Sequence, residues 1–223
     1  MIGRTRQNPG EAEARDTLAR LRAGDEAAFR RIVRDFNGPM LSLARTFVKT
    51  RSTAEEVVQD TWVAVISGLS TFEERSSLKT WIFSILVNKA RTRGARDGRM
   101  LSFSDLGREG GPAVDPHRFR PDGSWDEPPV LSHDLTPERI VAGRQMLEHV
   151  RAALDTLPAA QRSVILLRDV EGLDAEEACA ILGVSEANQR VLLHRGRARL
   201  RDALEALLAG ARAAPGRRAS GKV

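Results

Sequence analysis

The sequence predicts an all-α protein made of two small helical domains joined by a long flexible linker. Three observations favour this fold class. Apolar residues recur at helical spacing from residue 15 to 97 and again from 136 to 208. The stretch between them, residues 98–135, is rich in Pro, Gly and Asp and has no sustained period. No segment shows the regular alternation of apolar and polar residues that a half-buried strand requires.

Composition narrows the classes of protein further. The 223 residues suffice for one or two small domains, and with aromatics at 4% and no Tyr the cores must be largely Leu, Val, Ile and Ala. A net charge of +5 favours an anionic partner, although this signal is weak alone. The N-terminus lacks the apolar segment of a secretory signal, and no stretch reaches the roughly 18 apolar residues of a membrane span. We therefore expect a cytoplasmic protein without membrane insertion.

The first domain, residues 15–97, is predicted to hold several amphipathic helices. Asp25 is placed to cap "EAAFRRIVRDF", and Pro39 is expected to break or offset the helix that follows. Thr53 and Glu56 show the spacing of a capping box at the start of "STAEEVVQDTWVAVISGL". The apolar face of that helix, which we expect in the core, contains Val58, Trp62, Val65 and Leu69.

A second long helix of this domain is predicted over "SSLKTWIFSILVNKARTRGAR", with Ser76 or Ser77 at its start. Its spacing directs three apolar residues inward: Ile82, Ile85 and Leu86. Another face of the helix is polar and consists of Thr80, Ser84, Asn88 and Arg91. The helix therefore has both a core side and a side suited to a polar partner.

The second domain, residues 136–208, begins with a clear helix start, Thr136 as N-cap and Pro137 at the first helical position. Gly172 is expected to close the helix "PAAQRSVILLRDV", and Gly183 to supply a tight turn. The chain ends outside the domains, residues 1–14 and the basic tail 209–223, have too little apolar mass to order and are predicted to be disordered.

The end of the second domain has the form of a helix-turn-helix. Asp174 and Glu177 resemble a capping box at the start of the first helix, and Ser185 is placed to cap the second. Five small or branched residues are expected to lock the two helices together: Ala175, Ala178, Ile181, Val184 and Val191. The polar residues expected on the exposed side of the second helix are Glu186, Asn188, Gln189, Arg190, His194 and Arg197. Asn, Gln and Arg are the side chains that bind base edges bidentately, so this helix suits the major groove.

Taken together, four stretches resemble those of bacterial sigma factors of the extracytoplasmic-function (ECF) type, within the sigma-70 family. "AEEVVQDTWVAVI" is similar to the helix of region 2 that binds core polymerase, and "SSLKTWIFSILVNKARTRGAR" to its melting and −10 reading helix. The segment from "LDTLPAAQRSV" to "LHRGRARLR" is similar to region 4, which reads the −35 element, and residues 98–135 stand where the family has its linker. The resemblance covers nearly all of residues 15–205.

This resemblance implies a site for core RNA polymerase and another for promoter DNA in the first domain. The clamp helices of the large polymerase subunit would contact the acidic stripe of Glu55, Glu56, Gln59 and Asp60, and the polymerase flap is a further implied partner. The −10 element would contact Arg75, Ser76, Ser77, Lys79, Thr80, Trp81, Ser84, Asn88, Lys89, Arg91 and Arg93. Where many relatives have a glycine-containing loop such as "FRGDS", this chain has "EERSS", and the acidic Glu73 and Glu74 mean that the bases bound there cannot be transferred from those relatives.

In the second domain the resemblance implies a −35 site on the recognition helix. Its residues would be Ser185, Glu186, Asn188, Gln189, Arg190, Leu193, His194, Arg195 and Arg197. Here "NQRVLLHRGR" replaces the common "TVKSRLHRAR", and Leu192 or Leu193 could pack on a thymine methyl. The linker would thread toward the active-site channel of the polymerase, with a passive tether as an equal alternative.

The sequence therefore predicts an alternative sigma factor, with promoter DNA, core polymerase and an anti-sigma factor as partners. That anti-sigma factor would hold it near the membrane. No nucleophile triad, phosphate loop, metal-ligand spacing or cofactor motif is present, so we expect neither an enzyme nor a small-molecule substrate. Two alternatives stay open: a dimeric one-component helix-turn-helix regulator with a helical ligand domain, and an adaptor that only sequesters a polymerase subunit. An enzyme that acts on nucleic acid is the least favoured class.

Overall fold

The computed structural model describes residues 9–98 and 137–213, with side-chain detail for 13–98 and 146–206. The first range holds four α-helices: α1 (Pro9–Arg22), α2 (Glu26–Phe47), α3 (Arg51–Gly68) and α4 (Leu78–Arg96). The second range holds α5 (Pro137–Thr156), α6 (Ala159–Ile165), α7 (Ala175–Leu182) and α8 (Glu186–Ala213). These described ranges contain no strand, which confirms the predicted all-α class. The predicted linker, the cap at Thr136 and both chain ends fall mainly outside them.

Most helix starts form as the sequence predicts. Asp25 accepts hydrogen bonds from the backbone of Ala27 and Ala28, and Ser77 accepts one from Thr80. The start of α3 is different, because Thr50 rather than Thr53 is its N-cap. The Thr50 hydroxyl accepts the backbone N–H of Thr53 at 3.1 Å, so the predicted capping box between Thr53 and Glu56 is wrong.

The expected break at Pro39 is also wrong, since α2 runs through it without interruption. Proline inside a helix costs about 3 kcal/mol because it removes a hydrogen bond and crowds the preceding turn. The residues on either side offset this cost by packing on one face. Ile32 lies before Pro39 and is 5% exposed, while Met40 and Phe47 lie after it and are 0% and 1% exposed.

Two helices extend beyond the predicted domain limits. α1 begins at Pro9, where proline suits the first helical position. Its first residues therefore belong to the segment 1–14, which was predicted to be disordered. α8 continues to Ala213 through an Ala- and Leu-rich segment. Ala and Leu have the highest helix propensities, so elongation of an existing helix needs little help from packing.

The core of the first group of helices is formed by α2, α3 and α4 around large buried side chains. Phe47, Phe83 and Leu86 are at most 1% exposed, and the Phe36 ring meets Phe83 edge to face at 6.3 Å. The predicted inward positions are confirmed by burial, namely Val58, Trp62, Val65, Leu69, Ile82 and Leu86, while Ile85 is partly buried against them.

The second group packs α5 and α6 against α8, with α7 closing one end. Leu167, Leu182 and Leu192 are 0% exposed, and Gly196 lets α8 approach α6 closely. A Cβ at Gly196 would lie 2.8 Å from Ile165 Cδ1, too close for a real contact. The two groups also contact each other, α2 against α6 and α4 against α7.

Within 9–98 and 137–213, none of the helices combines the length and the apolar character needed to cross a membrane.

Candidate nucleic-acid and protein-binding sites

The exposed face of α3 carries the four residues predicted to bind a protein partner. Glu55, Glu56, Gln59 and Asp60 are all exposed. Two of the carboxylates are paired with arginines of the same chain, Glu55 with Arg51 at 2.8 Å and Glu56 with Arg93 at 3.0 Å. These surface pairs contribute little stability, so each carboxylate can exchange its arginine for another cation at small cost in free energy.

An apolar patch continues this acidic stripe and was missed at the sequence level. Val63 is 65% exposed and Ile66 59% exposed, which is unusual for large aliphatic side chains. They follow Gln59 by four and seven residues, so they lie on the same side of α3. The sequence contains a signal for this patch, because Val63 and Ile66 are apolar but fall outside the face of the helix that was predicted to be buried. The surface thus joins acidic, amide and apolar groups, as protein interfaces do.

A groove of about 310 Å³ separates this face of α3 from α4. Among the residues that line it are Glu56 and Asp60 from α3, and Asn88, Lys89 and Arg93 from α4. The ion pair of Arg93 with Glu56 therefore lies between the predicted polymerase-binding face and the predicted −10 face. Asn88 is exposed at this groove, where its amide can bind a nucleobase.

The remaining predicted −10 residues divide into exposed and buried sets. Arg75 and Ser76 are exposed on the loop before α4, and Arg75 pairs with Glu73. Thr80 is 5% exposed, which places it in the interior rather than on an open DNA-binding face. Ser84 is half-buried, and its hydroxyl donates to the Thr80 carbonyl at 2.8 Å.

Trp81, which was predicted to contact the −10 element, packs against residues of its own domain. Its ring stacks at an angle on Phe72 with centroids 4.7 Å apart, and it lies against Gly68.

Arg91 is half-buried at the same end of the molecule as α7, and desolvation lowers the pKa of its guanidinium. Lys79, Thr80, Arg91 and Ser77 all bond to residues of the second domain.

The loop before α4 holds a residue in an uncommon backbone conformation. Glu74 has φ +58°, the left-handed region that favours glycine. Its carboxylate pairs with Arg22 of α1 at 2.9 Å, and this bond holds the loop against the first helix. Arg22 is a residue whose contribution no local sequence pattern indicates.

We expect Glu74→Gly and Glu74→Ala to differ in stability by about 1 kcal/mol, with glycine the more stable. Both variants lose the ion pair with Arg22, but only glycine adopts a positive φ without a Cβ penalty. Urea titrations of the two variants measure this difference. Equal midpoints would show that the loop leaves the left-handed conformation at no cost.

The recognition helix α8 begins as predicted. The Ser185 hydroxyl accepts the backbone N–H of Asn188 at 3.3 Å, and the capping box of Asp174 with Glu177 is present at the start of α7. Gly183 has φ +55° in the turn between the helices, which explains a glycine at this position. The helix-turn-helix is therefore formed by the residues that predicted it.

Part of the set predicted to contact the −35 element lies at the surface of this helix. Glu186 and Arg190 are exposed and paired with each other at 2.8 Å, and His194 is exposed. Asn188 and Arg195 are half-buried. The surface suited to DNA is thus cationic and amide-bearing, with one carboxylate that can orient an arginine.

Three predictions about the faces of this helix are wrong. Gln189, predicted to be exposed, is 1% exposed, while Val191, predicted to be in the core, is 44% exposed. Leu192 and Leu193, offered as contacts for a thymine methyl, are 0% and 9% exposed. α8 presents residues 189, 192, 193 and 196 to the core, so its buried face is rotated relative to the prediction.

Arg197 is held by a carboxylate that sequence analysis did not single out. Its Nε and Nη2 donate to the two oxygens of Asp169 at 2.9 and 2.6 Å. This hydrogen bonding raises the pKa of the Arg197 guanidinium. Asp169 belongs to a π-helical turn, Leu166–Val170, that directly follows α6. The pair fixes the direction of Arg197 on the exposed side of α8.

The buried amide of Gln189 leads to a stability prediction. Its Nε2 is buried and donates no hydrogen bond, which costs about 1–3 kcal/mol. We expect Gln189→Leu to raise the free energy of unfolding by about 1 kcal/mol or more, measured by thermal or urea denaturation. Arg190→Leu, one residue further on the exposed face, is the control and should give no gain. A lower midpoint for Gln189→Leu would contradict the prediction.

The single cysteine is Cys179 on α7, and it is half-buried. Burial, followed by the nearby charge of Glu186, raises the pKa of its thiol, so the reactive thiolate is disfavoured. Among residues with described side chains, no group of three His, Cys, Asp or Glu side chains could hold a metal ion.

Over the residues that the structure describes, these features define a class: a helical protein of two domains, the second ending in a helix-turn-helix whose second helix is cationic. Comparison with known proteins is consistent with this class. Residues 32–100 match the family described as sigma-70 region 2, and residues 147–200 match sigma-70 region 4. The RNA polymerase sigma factor CnrH of Cupriavidus metallidurans is 31% identical over 205 residues, which cover 89% of this chain and 97% of CnrH. The ECF sigma factor SigX of Bacillus subtilis is 29% identical over 164 residues, which cover 72% and 75% of the two chains.

Solved structures show the same relationship. The structure of CnrH in complex with the cytosolic domain of CnrY matches with a TM-score of 0.51 and 25% identity, covering 86% of this chain and 97% of CnrH. The sigma factor RpoE of Bartonella quintana, solved with the anti-sigma factor NepR, matches in fold with a TM-score of 0.51 and 24% identity. The match covers 79% of this chain and 96% of RpoE. The chain therefore belongs to the sigma-70 family of RNA polymerase sigma factors and resembles its ECF members.

Proposed function

We propose that the protein is a non-catalytic initiation factor that binds core RNA polymerase and directs it to promoters through −10 and −35 elements. The observation that carries this proposal is the presence of three surfaces suited to binding in one chain. They are the acidic and apolar face of α3, the groove beside Asn88 and the recognition helix α8. The polymerase supplies the chemistry of RNA synthesis, so this chain needs only binding surfaces.

The α3 surface is proposed to bind the basic clamp helices of the large polymerase subunit. The acidic residues Glu55, Glu56 and Asp60 favour a cationic partner and speed its association. The exposed Val63 and Ile66 provide apolar area that becomes buried in the complex. The proposed interface therefore extends along the exposed face of α3 from Glu55 to Ile66.

The −10 surface is proposed to centre on Asn88, with Lys89 and Arg93 beside it for phosphates. A base unstacked from the duplex costs a few kcal/mol, which a groove with an amide and cations can offset. The −35 surface is proposed to centre on Arg190, with His194 and Arg195 on the same helix. Arginine bound bidentately to a guanine discriminates bases by about 1–3 kcal/mol.

We propose that region 2 spans 15–97, region 4 spans 136–208 and residues 98–135 connect them. Joining two weak DNA-binding domains raises the effective concentration of the second once the first is bound. Because CnrH and RpoE were each solved with a partner protein, we propose that an anti-sigma factor also binds this chain. Its place of action would be the bacterial cytoplasm.

The test is run-off transcription with purified core polymerase and DNA from upstream of the protein's own gene. We expect a discrete transcript that requires the protein and falls about tenfold or more with Asn88→Ala or Arg190→Ala. Arg34→Ala, an exposed arginine on α2 that pairs with Asp35, is the matched control and should leave the transcript unchanged. Failure to bind core polymerase would refute the proposal, and duplex binding as a dimer without polymerase would favour a one-component regulator.

A further inference from the structure

The loop before α4, residues 72–77, is held by one side chain of α1. Arg22 Nη2 donates to the Phe72 carbonyl at 2.5 Å, and its Nε donates to the Leu69 carbonyl at 3.4 Å. Its Nη1 donates to the Glu74 carboxylate at 2.9 Å, which completes an ion pair. These acceptors lie 47 to 52 positions away in the chain, so one guanidinium joins α1 to three points of a short backbone segment.

The chemistry of this contact requires an arginine. A guanidinium is planar and presents five donors in a rigid fork, whereas a lysine ammonium presents three donors from one point. Two of the three acceptors here are backbone carbonyls, so the contact fixes the path of the main chain itself. Glu74 is, among the described residues, the one non-glycine residue with a positive φ. Such a conformation persists only where surrounding contacts hold it, and the bonds to Arg22 are contacts of this kind.

Two further contacts fix the ends of the loop. The Phe72 ring is 7% exposed and stacks on Trp81 of α4. At the other end, the Ser77 hydroxyl accepts a backbone N–H from the first turn of α4 at 3.0 Å. Between these ends the side chains of Arg75 and Ser76 are exposed. The loop therefore presents a guanidinium and a hydroxyl on a backbone that is held in place.

A fixed backbone matters for the discrimination of bases. A base that has left the stack is distinguished by donors and acceptors that meet its edge, and they discriminate only when their positions are fixed. A loop that must first be ordered loses part of the binding free energy to that ordering. The anchor on α1 removes this cost before DNA is bound.

We propose that Arg22 is a positioning residue of the −10 site. It holds the loop in the conformation from which Arg75 and Ser76 bind an unstacked base, and it thereby helps to set which base is preferred. The inference rests on the proposed function, since it assumes that this loop contacts the −10 element. Arg22 acts through the loop and is assigned no DNA contact of its own.

The experiment uses polymerase holoenzyme assembled from purified core and the whole chain. The probes are fluorescent single strands with the non-template sequence upstream of the protein's own gene, in which each position is replaced in turn by the other three bases. The ratio of the affinities for the preferred and the poorest base measures discrimination at each position. Arg75→Ala/Ser76→Ala first identifies the position that the loop binds, as the one where this ratio falls.

At that position we expect Arg22→Met, which keeps the apolar stem but has no donor, to lower the ratio about tenfold. Arg22→Lys keeps a cation beside Glu74 and should lower the ratio about threefold. Arg20→Met is the matched control, because Arg20 lies two residues earlier on α1 and pairs with Asp25 at 2.8 Å. Its ratio should stay within about 1.5-fold of that of the unmodified protein.

An unchanged ratio in Arg22→Met overturns the inference, and so does an equal fall at every position, which a general loss of structure would cause. The inference also fails if Arg75→Ala/Ser76→Ala changes the ratio at no position. If the unmodified holoenzyme binds the probes without any base preference, the proposed function fails instead.

Affinity for core polymerase reports whether each variant is folded. The face of α3 is separate from Arg22, so this affinity should stay within about twofold for every variant. If Arg22→Met no longer binds core polymerase, Arg22→Lys decides the same question. An unchanged ratio in a folded Arg22→Lys then overturns the inference.

Discussion

Phe83→Ala is expected to lower the free energy of unfolding by about 3–5 kcal/mol. Phe83 is 0% exposed in the middle of α4, and its ring meets Phe36 edge to face. The truncation removes apolar area and leaves a cavity that helices on both sides cannot fully close. Because domains of this size are stable by only about 5–15 kcal/mol, much of the first domain's stability would be lost.

Urea titration followed by the fluorescence of Trp62 and Trp81, which lie in the same domain, measures this effect. Phe29→Ala is the matched control, because Phe29 is only partly buried against the core and its loss should cost clearly less. A change below about 1 kcal/mol for Phe83→Ala would contradict the packing described for α2 and α4.

Val63→Glu/Ile66→Glu is expected to weaken binding to core polymerase by about thirtyfold or more, with little effect on stability. Both side chains are more than half exposed, so the folded monomer does not depend on them. In the proposed complex they lie at the apolar part of the interface, where two buried and unpaired carboxylates are costly. Binding of labelled protein to purified core polymerase measures the change.

Val33→Glu is the control for this variant. Val33 is a valine at the surface of α2, 37% exposed, and lies outside the proposed interface. Its substitution should leave polymerase affinity within about twofold of the unmodified protein. Equal losses in the two variants would show that the polymerase contact is not located on α3.

Local patterns predicted the helices and most of their caps. Asp25, Ser77, Asp174 and Ser185 cap helices as expected, because a short polar side chain before an apolar helix satisfies free N–H groups nearby. These interactions span only two or three residues, so the sequence alone contains the relevant geometry. The buried face of α3 was predictable for the same reason, since its apolar residues recur without interruption.

The orientation of α8 could not be obtained in this way. Gln189 and Val191 are two residues apart, or about 200° around a helix, and their predicted positions were exchanged. A polar residue in the core and an apolar one at the surface reverse the periodicity that such predictions use. The face is set by the close approach of α8 to α6 at Gly196, which is a tertiary contact.

The candidate DNA-binding site was predictable in composition but not in accessibility. Asn88, Arg190 and His194 are exposed as a binding role requires. Thr80 and Lys79 are engaged by residues 97 and 92 positions away, Glu177 and Glu171. No pattern along the chain encodes such distant pairings, and they depend on how the second domain meets the first.

The contact between the domains has a thermodynamic consequence for every partner that needs them apart. If only one molecule in a hundred has its domains apart, the apparent affinity for such a partner falls about a hundredfold, although the contacts in the complex are the same. A mutation at Ser163 or Glu171, which bond across this contact, would then change that apparent affinity without altering the surface that the partner binds. A protein that binds the form with the domains in contact would keep nearly all of its affinity, since the free chain is already arranged for it. The contact between α4 and α7 thus adds its own free energy to any equilibrium that separates the two domains.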